Sequence, residues 1–471
     1  MFNSKKRMNT FLINTPRSVP AKYLRNNATT ADVDKALKQG IWVYFLLLIF
    51  EGALRKWLLP FLATPLLIVR DPLAIWLLCT AWKRGFFPWN GWVITLFCVS
   101  VIGIYTAVLF GHGNLFVALY GSRIMFIHFP VIFIIGHFFT KDDVIRMGIV
   151  ILKMSICMTL LIAIQFYSPQ TAWVNQGLGG DMEGIGFGEV MDFFRPSGTF
   201  SFTNGVSLFY GLTSCFVFYF WFNTSKINFT ILVASTIGLL AAIPLSISRG
   251  LFFQTGVAIL FTLVAVLRRP EYFNKIILIA VAAFIVASAL SLTSFFKTAT
   301  TVFEYRFTSA NEEEGGVDGI LVTRYFGEMI RPITRSLSQP LFGYGLGLGT
   351  NVGSMLIAGD RLYLVAEGEW ERTFGELGPI LGLMVVLVRV SLAASIAFRS
   401  YKKLSDGDLL PWLLLSFGLL TIPQAQWAQP TSLGFCILIA GLSLASLNEK
   451  ETTDKKIRLA KQKFHLQFRY N

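Results

Sequence analysis

"FTILVASTIGLLAAIPLSISRGLFFQTGVAILFTLVAVLR", residues 229–268, carries one charged side chain, Arg249, before its final residue. Its two apolar halves, 229–247 and 250–267, each approach the ~20 residues needed to cross a bilayer. Hydrocarbon offers no water to the backbone, so a crossing segment satisfies its own polar groups and is read as a helix. "SISRG" at 246–250 then reads as a turn at a membrane face. It places a guanidinium there with no acidic neighbour in sequence.

The same pattern recurs along the chain. Apolar runs near 41–59, 62–82, 88–110, 115–138, 144–166, 206–222, 229–247, 250–267, 275–295, 376–398, 409–427 and 430–447 predict twelve spans. The 471 residues are 54% hydrophobic and 14% charged, against about 25% charged in a soluble domain. Length and number of the runs exclude the core helices of a large soluble protein. The net charge of +14 comes without a nucleic-acid-binding motif, and no nucleic-acid partner is expected. Its basic residues fall in short connections. With the N-terminus inside, "KRG", "TKDDVIR", "NTSKIN", "RRPEYFNK", "RSYKKLSDGD" and the C-terminal tail lie inside, and each carries Lys or Arg; the outside turns "GHGN" and "AQP" carry none. That bias predicts both termini in the cytoplasm.

The expected organisation is a basic N-terminal segment 1–40, a transmembrane domain 41–447 and a basic tail 448–471, with external loops at 167–205 and 296–375. The N-terminus lacks the apolar stretch and cleavage site of a secretory signal, so the first span is expected to act as a retained insertion signal. Cys79, Cys98, Cys157, Cys215 and Cys436 lie in apolar runs without paired spacing and read as small core residues. Neither a metal nor a cofactor is expected, since no histidine cluster has ligand spacing.

The charged residues of the external side are the candidates for chemistry. Arg195 in "DFFRPSGTFSFTNG" precedes the sixth span, Arg249 lies in "SISRG", and Arg306 in "FEYRFTSA" opens the large loop. A guanidinium in such a position either snorkels to headgroups or forks onto an anionic ligand such as a phosphate. "DGILVTRYFGEMIRPITRSLSQP" reads as a helix over 319–338. It places Arg324, Glu328, Arg331 and Arg335 on one face, opposite Tyr325, Phe326, Met329, Ile330, Ile333 and Leu337. The pattern is that of an amphipathic element on the outer membrane surface, with Pro332 as a kink or the first turn of a second helix. Arg123, near the outer end of the fourth span, is a further candidate. Glu51, Arg55, Lys56, Arg70 and Asp71 are expected to pair with one another. "LFGYGLGLGT" at 341–350 lacks the Lys-Ser/Thr of a nucleotide loop and predicts a tight backbone path. In "VAEGEWERTFGELGPILGL", Glu367 and Glu369, with Glu371 and Glu376, either balance the arginines or supply a general base.

"RPSGTFSFTNG", "SISRG", "RYFGEMIRPITRSLSQPLFGYGLGLG" and "FGELGPILGL", in this order across residues 190 to 395, resemble the O-antigen ligase and polymerase superfamily of bacterial envelope polysaccharide synthesis. The resemblance implies an all-α, polytopic integral membrane protein of about twelve spans, GT-C-like, with amphipathic helices in two long external loops. It implies an inner-membrane glycosyltransferase that moves glycan from undecaprenyl pyrophosphate to an acceptor glycan at the external face, without a nucleotide sugar. Other envelope-polysaccharide assembly proteins are possible partners. By motif, the donor pyrophosphate would fall to Arg195, Arg249 and Arg324, with Arg123, Arg306, Arg331 and Arg335 as secondary candidates. Ligases resemble one another in a histidine where this chain has Glu367, which favours a polymerase and leaves Glu367 or Glu369 as base. A ligase acting on a lipid or protein acceptor, a transporter of lipid-linked sugars or small solutes, and a non-catalytic scaffold are the alternatives. A transporter would show midplane charges, repeated halves or broken helices.

Overall fold

The computed structural model describes residues 21–181, 190–314, 327–358 and 368–448. Among them the regular structure is helical, with one isolated antiparallel bridge between Val190 and Phe193. Ten helical stretches are long and apolar enough to cross a membrane; Phe229–Leu245 and Leu409–Gln424 are shorter apolar helices at the other two expected positions.

The helices are α1 (Ala21–Ala53), α2 (Arg70–Lys83), α3 (Gly91–Leu109), α4 (Leu115–Arg123), α5 (Phe129–Phe138), α6 (Lys141–Tyr167), α7 (Asn204–Phe222), α8 (Phe229–Leu245), α9 (Arg249–Arg268), α10 (Phe273–Ser291), α11 (Ser294–Glu314), α12 (Gly327–Ser336), α13 (Asn351–Ala358), α14 (Glu369–Ser405), α15 (Leu409–Gln424) and α16 (Pro430–Leu447). α1 begins at Ala21, inside the segment expected to be a separate N-terminal arm, and its Lys38 is ion-paired with Asp143 of α6. Two π-helical turns interrupt the ladder, Leu54–Leu58 after α1 and Ile124–His128 between α4 and α5. Each carries buried polar groups: Arg55 and Lys56 on the first, His128 on the second. Such turns shift the helical register and concentrate at sites under functional constraint.

α7 and α16 lie at the centre, with almost every α16 side chain buried. Their seams use small residues, as close helix packing in lipid requires. At Gly441 a Cβ would come within 2.6 Å of Ile135, and at Gly136 within 2.8 Å of Leu444. α10 is peripheral, with Ile279 as its one buried side chain. Three cysteines depart from the expected core position: Cys79, Cys98 and Cys157 face outward, whereas Cys215 and Cys436 are buried.

The polar contacts sort the helix ends into two groups. Lys141 bonds Asp408 at 2.6 Å, Arg84 bonds Asp34 at 2.8 Å, and Arg269 reaches the Ser405 carbonyl at 2.5 Å. These join connections read as basic and internal. At the opposite end Arg70 donates to the Pro430 carbonyl, Asn204 to Gln429 at 2.6 Å, and Lys56 to Ser197 at 2.9 Å. α11, α12, α13 and the segments 168–181 and 190–203 belong to this second, loop-bearing end.

α14 is a hairpin rather than a simple span. Its backbone breaks at Gly378 (φ 74°, ψ 178°), next to Pro379. Residues 369–377 fold back on the longer arm: a Cβ on Gly382 would lie 2.8 Å from Phe374, and Trp370, Phe374 and Val386 form one buried cluster. Glu369 at the buried tip thereby meets Arg389, twenty positions on, at 2.8 Å. A Cβ on Gly378 would stand 2.1 Å from the Leu341 carbonyl, so the glycine is required twice, by its φ and by its neighbour.

Candidate functional site

"SISRG" turns the chain between α8 and α9. Ser246 ends α8, Ile247 takes a left-handed conformation (φ 48°), and Ser248 caps α9 by accepting from the Leu251 amide at 3.2 Å. Arg249 is therefore the first residue of α9. Ser248 and Ser207 share a 2.7 Å hydrogen bond, which brings the N-terminal turns of α7 and α9 together. Free amides at helix starts carry partial positive charge and favour anions.

Arg306 reaches the same place through aromatic packing. On α11, Phe303 and Phe307 meet Phe252 of α9 with ring centroids at 6.1 and 6.0 Å. Arg306 lies between those two phenylalanines in sequence, and Arg249 three residues before Phe252. Phe193 stacks on Phe166 at 4.7 Å, and Tyr167 meets Phe295 at 3.9 Å, which fixes the loop before Arg195 beside the start of α11. The Arg195 guanidinium is mostly sheltered, and its Nε is buried without a hydrogen-bond partner among the described residues. Burial pulls this guanidinium below its ordinary range, and the nearby charges of Arg306 and Arg249 pull it the same way. Three cations, one from a loop, one from the start of α9 and one from α11, thus come near one another, where an anion would relieve both their repulsion and the unpaired Arg195 donor.

Arg324 and Glu367 lie outside the described residues. Arg123 belongs to a different cluster. It bonds Asp71 at 2.7 Å, His128 Nε2 is 2.8 Å from the same carboxylate, and Tyr44 Oη is 3.2 Å from His128 Nδ1. Glu51 pairs with Arg55 at 3.5 Å and Arg70 at 3.1 Å as expected, but Asp71 and Lys56 find other partners. Lys56 donates to neutral oxygens of the Arg195 loop.

The expected helix 319–338 is described from Gly327. Pro332 sits buried inside α12 instead of opening a second helix. Arg331 is exposed, and Arg335, also exposed, lies 3.5 Å from Glu371. Met329 packs on the α14 hairpin, while Ile330, Ile333 and Leu337 point outward.

Glu369 accepts from both nitrogens of the Arg372 fork, from Arg389 and from the Trp427 amide at 3.0 Å. A carboxylate so surrounded is locked in place, which describes a structural hub. Arg389 also donates to the carbonyls of Ile422 and Ala425 and lies 4.2 Å over the Trp427 ring. The sequence reading passed over Arg389; a lone arginine in the middle of an apolar run was the available signal. Glu376 takes the amides of Gly347 at 3.0 Å and Gly349 at 2.8 Å and also pairs with Arg372 at 2.8 Å. The glycine-rich stretch is thus a tight path clamped on the hairpin and pressed against α4, where Gly347 and Gly121 leave no room for a Cβ.

Among the described residues no three His, Cys, Asp or Glu side chains gather into a possible metal site. No family model matches this chain, and no curated protein or solved structure does. The observations define the class: among the described residues, a helical chain with ten apolar helices long enough to cross a membrane and a cationic site at its loop-bearing end.

Proposed function

We propose that this chain is a twelve-span membrane glycosyltransferase of the bacterial envelope, polymerase-like, with both termini in the cytoplasm of the inner membrane. It transfers glycan from undecaprenyl pyrophosphate to an acceptor glycan at the external face. What carries this reading is the packing that brings the segments of Arg195, Arg249 and Arg306 together, Ser207 on Ser248 and Phe252 on Phe303 and Phe307, around a buried Arg195 Nε that has no hydrogen-bond partner among the described residues. Their guanidiniums offer the charge and the forked donors that a diphosphate takes up, and two helix starts add to the positive field. Arg324 and the candidate base Glu367 belong to the proposal through their motifs.

A broken helix with a buried charge pair is also a transporter feature. The α14 break and the Glu369–Arg389 contact therefore keep a carrier of lipid-linked sugars as the second reading. The test is glycan profiling of a deletion strain complemented with wild type, Arg249→Lys or Arg249→Ala. Loss of a polymerase leaves single lipid-linked repeats on the external face, loss of a ligase leaves unattached polymer, and loss of a carrier leaves the repeats inside. The lysine keeps the charge but loses the fork, so both variants are expected to fall about 10²-fold, the scale of one lost transition-state donor. Full activity of Arg249→Lys at normal membrane levels refutes the donor site, because a snorkelling residue alone tolerates that exchange.

A further inference from the structure

The end of the first span and the Arg195 loop are built into each other. Lys56, 0% exposed, lies on the π-helical turn Leu54–Leu58. Its Nζ donates to Ser197 Oγ at 2.9 Å and to the Gly198 carbonyl at 2.7 Å. Among the described residues it has no carboxylate partner; its remaining neighbour is the Trp57 ring at 4.6 Å. Gly198 has φ 57° and is held from the other side by Gln165, whose Oε1 takes the Gly198 amide at 2.7 Å. Arg55 donates to Ser201 Oγ at 3.0 Å and Thr199 to the Ile49 carbonyl at 2.6 Å. Gly52 fits so closely that a Cβ there would lie 2.2 Å from the Phe200 backbone. Residues 196–201 are all buried.

Repulsion makes such a fixture necessary. Arg195 is sheltered from water next to two further cations, so an unrestrained loop would swing it outward into solvent. The Lys56 contacts fall two and three positions after Arg195, too close for the chain to absorb movement at Gly198. We propose that Lys56 is a positioning residue: it pins Ser197 and Gly198 so that Arg195 stays turned into the cationic site without a ligand. The inference rests on the donor-site reading above. An apolar residue could fill the volume of Lys56 but could not hold a hydroxyl and a carbonyl at once.

The experiment uses the full chain in nanodiscs and titrates inorganic pyrophosphate calorimetrically into wild type, Lys56→Met, Arg195→Lys and the double variant. Lys56→Met is expected to weaken binding at least 10-fold while adding nothing to Arg195→Lys, because both act through one guanidinium. Deuterium uptake should rise over residues 195–201 and not elsewhere. Ser197→Ala removes one of the two contacts from the loop side, and an approximately 3-fold loss with the same non-additivity decides the matter if Lys56→Met does not fold. Wild-type affinity in either variant, or losses that multiply with Arg195→Lys, overturns the positioning role and leaves the donor site standing. Failure of the wild-type chain to bind pyrophosphate overturns the donor-site reading, and this inference falls with it.

Discussion

Two neighbouring carboxylates separate structure from chemistry at the scale of single residues. Glu369 is buried with two guanidiniums and a backbone amide on it. Removing one partner from a buried ion pair costs about 3–5 kcal/mol, because charges are left uncompensated. Glu369→Gln is therefore expected to lower folded protein in the membrane, measured by detergent-extracted yield and melting temperature. Glu367→Gln should leave yield alone and reduce turnover by about 10² to 10⁴-fold if that group is the base. Normal yield of Glu369→Gln contradicts its role as hub, and unchanged turnover of Glu367→Gln removes that residue from the mechanism. Both positions looked alike in sequence; the partners found for Glu369 are Arg372 and Arg389 of α14 itself, the second brought near by the hairpin, and the Trp427 amide in the turn after α15, 58 residues away.

At the scale of elements, the α14 hairpin organises the loop-bearing end. Its turn receives the stretch 341–350, and its buried tip meets Arg389. Gly378 sits at φ 74° against the Leu341 carbonyl. Gly378→Ala meets both a left-handed backbone, costing about 1–2 kcal/mol for a residue with a Cβ, and a steric clash. It should lower thermal stability by more than about 2 kcal/mol, read by nanoscale fluorimetry in detergent. Gly256, where a Cβ meets nothing, is the control, and equal melting of Gly378→Ala and Gly256→Ala would remove the hairpin turn as a constraint. "GELGP" at 375–379 announced a glycine next to a proline. It did not announce that the residues before it return along the span, since that depends on Trp370 and Phe374 finding Gly382 and Val386.

For the whole molecule, the alternation of helix ends separates one set of basic connections from the loop-bearing end. An impermeant thiol reagent tests the proposed orientation in intact cells, with exposed native cysteines replaced. A cysteine at Gly180 should label and one at Ser405 should not. Labelling at Ser405 alone would invert the chain and place the cationic site in the cytoplasm, where a lipid-linked donor on the external leaflet cannot reach it.

The all-helical, apolar character of the described residues was legible in the sequence, because it follows from a local quantity: the run of apolar residues that covers hydrocarbon. "SISRG" was legible as a turn for the same reason, and Arg195, Arg249 and Arg306 could be named singly as charges near helix ends. Their convergence was not legible. It depends on Phe252 meeting Phe303 and Phe307, on Ser207 meeting Ser248, and on Phe193 stacking on Phe166. The pairing of Arg123 with Asp71, of Glu369 with Arg389, and of Lys56 with the Arg195 loop likewise joins distant segments. A buried charge takes whichever partner the packing of helices brings within reach, and only the tertiary structure decides which one that is.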